Sequence, residues 1–413
     1  MSELKELVVS LKDQTVGILT LLPGDRSLFA FSEEYLARPV SERFVLSQSF
    51  FQKDASLVPM VGPTQTKAPA YFSNLLPEGH LREYLAKKAG VNSVRDFGLL
   101  KLLGQDLPGA VKLELSQTAL SYLEENPEWL EQEKAWSDQA VLKFSLAGVQ
   151  LKFSALLEPT GGLTIPTQGM GGEWIVKLPS EKFPGVPENE FSMLELARAI
   201  GIQVPEIKLI QVSEIVGMPS ALGYSNWGEK KALAVKRFDR ETNSQGIQER
   251  VHIEDFAQVY GVYPEKKYQG VSYNNLVEMI AVTAGEVEAY EFIKRLVFNW
   301  MIGNGDMHLK NWSFIYPDGK TPRLAPAYDY VSTVLFMNDS TLGLSLSREK
   351  NSREISLRHW ERLAERANLS KQYVLNLVQE TRQQILASWD VLKKNSSMEK
   401  SLITRLSNYM ESF

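Results

Sequence analysis

The sequence predicts an α+β chain in two unequal styles, with strands crowded into the first 240 residues and helices filling the remainder. Three observations carry that expectation. Short β-branched or alternating apolar stretches, separated by turn residues, recur between Lys5 and Phe238. Apolar residues at helical spacing run through long segments between Glu254 and Met410. A length of 413 residues, with 44% apolar and 23% charged residues, is an ordinary globular composition that suits two or three structural units.

In chain order, Lys5–Leu11, Thr15–Leu21 and Ser27–Phe31 read as strands. Turn-rich sequence then leads to a helix from Pro77 to about Ala89, with Pro77 near its first position and Glu78 in its first turn. Gly104–Gly109 reads as a loop. The polar, acidic run from Asn126 to Asp138 marks a boundary, so residues 1–125 are expected to form an N-terminal subdomain. Residues 126–240 read as a β-rich unit in which Val141–Ser145, Leu151–Leu157, Glu173–Leu178 and Lys231–Phe238 are strands. The helix Asn189–Ile200 interrupts them and ends at Gly201 as a C-cap. Residues 241–413 read as helical, with segments Glu254–Tyr260, Tyr273–Ala284, Glu286–Ile302, Arg358–Asn368, Lys371–Lys394 and Glu399–Met410.

Composition removes several chemistries. With no cysteine, disulfides, thiolate zinc sites and cysteine nucleophiles are excluded. His80, His252, His308 and His359 lie far apart without paired spacing, so any metal is expected on oxygen ligands, which suits Mg2+. A net charge of -5 offers no global basic field for direct contact with nucleic acid. The charged N-terminus has no signal-peptide core and no apolar run reaches the length of a membrane span, so a cytoplasmic location is expected.

The segment Ile302–Ser313 holds Asp306 and Asn311 five residues apart, and Asp329 follows within Ala327–Tyr330. That order matches the needs of phosphoryl transfer: one Asp to accept or orient a hydroxyl, an Asn to hold a metal, and a later Asp to hold Mg2+ on nucleotide phosphates. Taken alone, an Asp-rich and Gly-rich run also reads as a plain loop. Its context favours a site, because the helical pattern of Tyr290–Ile302 delivers the loop and Trp312–Tyr316 with the Pro317–Lys320 turn reads as a hairpin arm. A β-rich half before a helical half is also the polarity of a two-lobed, protein-kinase-like fold.

Other segments fit the same scheme with alternatives open. Ser145–Lys152 carries small residues that can aim backbone N–H groups at phosphate oxygens, or form a simple β-turn. Lys177 ends the apolar strand Glu173–Pro179, resembling the strand lysine that meets α- and β-phosphates, with Glu190 and Glu195 as candidate partners. A solvated edge lysine is the alternative. Gly169–Gly172 opens no helix, so dinucleotide binding is rejected. Ala234–Arg240 would cross between lobes, where its backbone could meet adenine, or its basic residues are simply solvated.

Together, Ser145–Lys152, Ile175–Pro179, Asn189–Phe191, Lys236–Arg240, His252–Phe256, Gly305–Asn311 and Tyr328–Asp329 resemble the HipA family of serine/threonine kinase toxins from bacterial toxin-antitoxin modules. Phe72–Gly79 and Leu102–Gly104 extend the resemblance to the N-terminal subdomain. It implies a β-rich kinase lobe with an extra N-terminal subdomain, a helical C-terminal lobe, and the use of ATP and Mg2+. Asp306 would be the catalytic base, Asn311 and Asp329 the metal ligands, and Ser145 an autophosphorylation site. Ala147, Gly148, Val149, Gln150, Lys152, Lys177, Lys236, Phe238, His308 and Lys310 would surround the nucleotide. Lys236 departs from the acidic or neutral residue expected there in some relatives. The resemblance further implies an aminoacyl-tRNA synthetase as protein substrate and a helix-turn-helix antitoxin that alone contacts DNA. A catalytically silent scaffold for antitoxin and DNA, or a small-molecule kinase, are the competing readings; retention of Lys177, Asp306, Asn311 and Asp329 speaks against silence.

Overall fold

The computed structural model describes residues 5–12, 14–52, 54–126, 152–157, 163–164, 172–217, 228–337 and 339–413. Strands β1 (Glu6–Leu11), β2 (Gln14–Leu22), β3 (Arg26–Phe31), β4 (Met60–Gln65) and β5 (Val111–Leu115) form an antiparallel sheet ordered β4-β3-β2-β1-β5. Leu7, Val9 and Leu11 alternate inward from β1, as the sequence period requires. β4 was not expected, because Met60-Val-Gly-Pro-Thr-Gln65 is an edge strand with Gly and Pro and almost no buried face. β5 carries the inward alternation of Val111 and Leu113 and closes the opposite edge.

The second sheet contains β6 (Lys152–Leu157), β7 (Leu163–Thr164), β8 (Trp174–Lys177), β9 (Ile207–Gln211), β10 (Ile215–Val216) and β11 (Lys231–Lys236), ordered β10-β7-β6-β8-β11-β9. Its period-two alternation divides it between two cores. Trp174, Val176, Ala232 and Ala234 join the core of the N-terminal sheet, whereas Ile207, Leu233 and Val235 join the core that runs through the helix Val186–Ala199 into the C-terminal lobe. The expected strand Val141–Ser145 lies outside the described residues.

In the C-terminal lobe, the helices Tyr273–Thr283, Glu286–Met301, Leu357–Arg366, Lys371–Leu392 and Lys400–Glu411 fall close to their expected bounds. The segment expected as helix Glu254–Tyr260 divides. Strand residues His252–Asp255 pair with Ser313–Tyr316, and only Phe256–Val259 is helical. Asp255 is the reason, since its carboxylate accepts from Gln258 N at 2.8 Å while the Gln258 side chain accepts from Asp255 N at 2.8 Å, a reciprocal cap that starts the helix one residue later. Ser313–Tyr316, expected as a hairpin arm, also pairs with Arg323–Leu324. The hairpin Thr341–Leu346 with Glu349–Asn351 was not expected. Its Gly343 is needed because a Cβ there would lie 2.8 Å from the backbone of Met307, in the loop of Asp306.

The N-terminal unit is bolted to both lobes by buried polar groups. Arg240 donates to Asp106 at 2.6 Å and to Asp239 at 2.9 Å, and Asp239 also accepts from Arg237 at 2.8 Å and from Gly109 N at 2.8 Å. Gly109 sits at φ +76° with room for no side chain, since a Cβ would stand 2.9 Å from Ile253 N. Glu254, fully buried, accepts from Gln48 N at 3.1 Å and from the Tyr316 hydroxyl.

Burial pushes the Glu254 carboxyl up to about 7 despite hydrogen bonds from Ser47 and Tyr316. A raised folded pKa means that its stabilising contribution is complete below the ordinary glutamate range and drains away as pH rises through about 7. Glu254→Gln cannot titrate, so the melting temperature of the variant should gain on that of the wild type between pH 5 and pH 8, by up to roughly 3 kcal/mol in stability. A difference that stays constant across that range would contradict the burial argument.

Candidate active site

Lys177, at the end of β8, is 4% exposed and its ammonium is held by two carboxylates. One is Glu190, delivered by the helix Val186–Ala199, and the other is Asp329, from the segment after the strand Arg323–Leu324. Burial acts to lower the lysine's pKa, but Asp329 and Glu190 outweigh it and hold the ammonium above the ordinary value. Of the two candidate partners, Glu195 instead pairs with Arg198 on the outer side of the helix.

Asp329 adopts φ +56°, a left-handed backbone that Asp and Asn tolerate better than most side chains. Its carbonyl accepts from Asn304 Nδ2 at 3.2 Å, and Asn304 Oδ1 accepts from Asp306 N at 3.1 Å. Asn304 therefore joins the Asp306 loop to the Asp329 segment through a single side chain. Asn189 ties the helix to the same segment, donating to Ser332 O at 3.2 Å and accepting from Ser332 N at 2.9 Å.

The loop itself follows the buried helix Glu286–Met301. Gly305 N donates to Thr333 Oγ1 at 2.8 Å, and Tyr273 donates to Met307 O at 2.9 Å. Asn311 Nδ2 donates to Asp306 O at 2.8 Å, closing the loop across the five-residue spacing. With the amide nitrogen so engaged, the carbonyl oxygen of Asn311 is the end left to meet a cation, and Asn311 and Asp329 each carry an oxygen donor of the kind Mg2+ takes. Asp306 keeps its side chain 54% exposed.

His308 and Lys310 are buried beside the loop. Burial, with Lys267 and Lys310 nearby, depresses the His308 imidazole to about 3, so it is neutral, and its buried Nδ1 has no hydrogen-bond partner. Such an orphaned polar atom is one that a bound group can complete. Lys310 turns its ammonium to Asn74 O at 2.8 Å, with Asp255 at 3.3 Å and Glu78 at 3.5 Å. Asn74 and Glu78, within the Phe72–Gly79 stretch, have no local sequence signal for a contact with Lys310, which lies more than 230 residues away.

Phe238 meets the Tyr328 ring at 5.7 Å between centroids. Lys236 N donates to Glu206 O at 2.8 Å, and its side chain leans toward Glu206 at 3.9 Å. Both Lys236 and Phe238 line a cavity of about 880 Å³ that none of Lys177, Asp306, Asn311 or Asp329 reaches. Ser145, Ala147, Gly148, Val149 and Gln150 lie outside the described residues, and of Lys152 only the backbone is described, paired with Lys177 across β6 and β8.

Residues 7–114 match the HipA N-terminal domain and residues 144–389 the HipA-like C-terminal domain. A Sinorhizobium fredii protein bearing a kinase's name, Y4dM, is 44% identical over 401 residues, spanning 96% of this chain and 94% of that protein. The serine/threonine-protein kinase toxin HipA of Shewanella oneidensis is 30% identical over 308 residues, 68% of this chain and 66% of that one. Among solved structures, the complex of Shewanella oneidensis HipA with HipB and its operator DNA contains a chain that superimposes with a TM-score of 0.72 at 20% identity, over 98% of this chain and 95% of that one. The fold is thus α+β and kinase-like, with a HipA-type N-terminal unit.

The Lys177 arrangement yields a stability prediction. Lys177→Met removes the cation between Glu190 and Asp329 and should cost about 3–5 kcal/mol in urea unfolding, as breaking a buried pair does. Adding Glu190→Gln should restore much of that loss; strictly additive losses in the double variant would show that the two side chains do not act as a pair.

Proposed function

This chain belongs to the HipA family, and from that premise we propose that it is an ATP-dependent protein serine/threonine kinase acting as the toxin of a toxin-antitoxin module. One observation carries the reading furthest: the buried ammonium of Lys177 is shared by Glu190 and Asp329, while Asn304 pins the Asp306 loop to the same Asp329 segment. A kinase needs those groups at one point, because phosphoryl transfer is catalysed mainly by positioning and charge neutralisation.

In this reading Lys177 neutralises phosphate charge, and the carboxylate of Asp329 with the amide oxygen of Asn311 holds Mg2+. Bound Mg-ATP supplies the transferable phosphoryl group. Asp306 orients the acceptor hydroxyl and takes its proton. Neutral His308 offers its unpartnered Nδ1 toward the nucleotide. Lys310 serves by fixing the loop to Asn74 and Glu78. Phe238 and Tyr328 offer ring surface to the base, and the backbone of Lys236 borders it. Ala147, Gly148, Val149, Gln150 and Lys152 bind the phosphates, and Ser145 is the site of autophosphorylation; family membership supports these roles. The same membership supports an aminoacyl-tRNA synthetase as substrate, a helix-turn-helix antitoxin as partner, DNA contact only through that antitoxin, and action in the cytoplasm.

Incubation with labelled ATP, Mg2+ and a cell lysate should label protein, and peptide mass spectrometry should find phosphate on Ser145. Label confined to small molecules would instead favour a small-molecule kinase. Asp306→Ala should reduce turnover by about 10²–10⁴ without lowering the melting temperature, and more than about a tenth of wild-type turnover would remove Asp306 from its role. Asp329→Asn should weaken Mg-ATP binding in calorimetry, and unchanged affinity would remove it from the metal.

A further inference from the structure

The segment Lys266–Gly270 runs beside the loop of Asp306 and is anchored at both faces. Lys267 O accepts from Leu309 N at 3.2 Å, and Lys267 Nζ donates to Glu78 at 2.9 Å. Next to this doubly tied Lys267, Tyr268 sets its ring edge-on against His308, at 4.8 Å between centroids and 82° between planes. Its hydroxyl donates to Oδ1 of Asp306.

With its side chain more than half exposed, Asp306 gains little rotamer restriction from packing. His308 cannot supply it, since a neutral imidazole with Nε2 4.0 Å away makes neither an ion pair nor a hydrogen bond. The tyrosine can. Its ring is braced, its backbone neighbour is fixed, and its phenol stays protonated because burial and the Asp306 charge raise its pKa.

We propose that Tyr268 is a positioning residue for phosphoryl transfer, whose hydroxyl fixes the Asp306 carboxylate in the orientation that receives the acceptor hydroxyl. The proposal rests on the kinase reading of Asp306. A donor on one oxygen narrows the directions in which the carboxylate can present itself to an acceptor hydroxyl. Misplacement of a reacting group by about 1 Å can cost about 10²-fold in rate.

Tyr268→Phe keeps the ring against His308 and deletes only the hydroxyl. It should lower kcat roughly 10- to 100-fold with KM for ATP and melting temperature unchanged. Replacement of Tyr268 by 4-aminophenylalanine, which retains a donor, should recover much of kcat, while O-methyltyrosine, which does not, should recover none. Independently of activity, the 13Cζ resonance of Tyr268, identified by its loss in Tyr268→Phe, should move in Asp306→Asn. Wild-type kcat in Tyr268→Phe, rescue by O-methyltyrosine, or an unmoved resonance overturns the proposal and leaves the kinase reading standing. A wild-type protein that transfers no phosphoryl group from ATP overturns both.

Discussion

An ammonium buried to the depth of Lys177 has to be compensated, and the means of its compensation organise the molecule. An unpaired charge at 4% exposure is costly enough that the group would neutralise or the fold would yield. The two carboxylates that prevent this come from separate lobes, Glu190 from a helix packed on the second sheet and Asp329 from the segment after the strand Arg323–Leu324. Asn189 and Glu190 are consecutive, so the helical turn that aims one carboxylate at Lys177 also aims an amide at Ser332, three residues beyond Asp329. Attachment at two points fixes both the rotation of the helix and the path of the Asp329 backbone, whose left-handed φ has to be held by its surroundings.

The N-terminal unit supplies a second set of constraints. It reaches the strand end after β11 through Asp106 and Gly109, the loop of Asp306 through Asn74 and Glu78, and the strand His252–Asp255 through Gln48. Burial opposes ionisation of Asp239, but Arg237 and Arg240 hold its carboxyl far below the ordinary range, so the junction stays charged and paired. The N-terminal unit thus makes buried polar contacts with both the end of the second sheet and the C-terminal lobe. The loop of Asp306 is accordingly gripped from above by Asn74 as well as from behind by Thr333 and Gly343.

Features written in local periodicity were legible from the sequence. The apolar strand that ends in Lys177, the Asp306 to Asn311 spacing and the helix feeding that loop are patterns within a few residues of one another. Glu190 and Glu195 were both open as partners, yet five residues on a helix turn the chain by about 500°, so only one could face the sheet. Asn304 and Tyr268 carried no such signal. Asn304 sits in a Gly-Asn-Gly turn, and its importance comes from a carbonyl 25 residues away. Tyr268 meets Asp306 across 38 residues, and Asn74 meets Lys310 across 236. β4 was hidden for a different reason, because an edge strand with one exposed face after another has no hydrophobic alternation to read.

In β8, Trp174 and Val176 face the core shared with the N-terminal sheet, while Lys177 lies on the opposite face, opposite Leu233 of β11 and beside the helix of Glu190. Side chains alternate with a period of two, so a register slip of one residue would carry Lys177 into the apolar N-terminal core and set Val176 against Glu190 and Asp329. Both results are prohibitive, one burying an unpaired ammonium and the other leaving two carboxylates without their cation. The pairings Leu233 with Lys177 and Val235 with Ile175 are thus enforced from both sides of the sheet. The apolar demand of the N-terminal core and the electrostatic demand of Glu190 and Asp329 select the same register, and the extra N-terminal unit, by covering the sheet's outer face, helps to hold Lys177 against those two carboxylates.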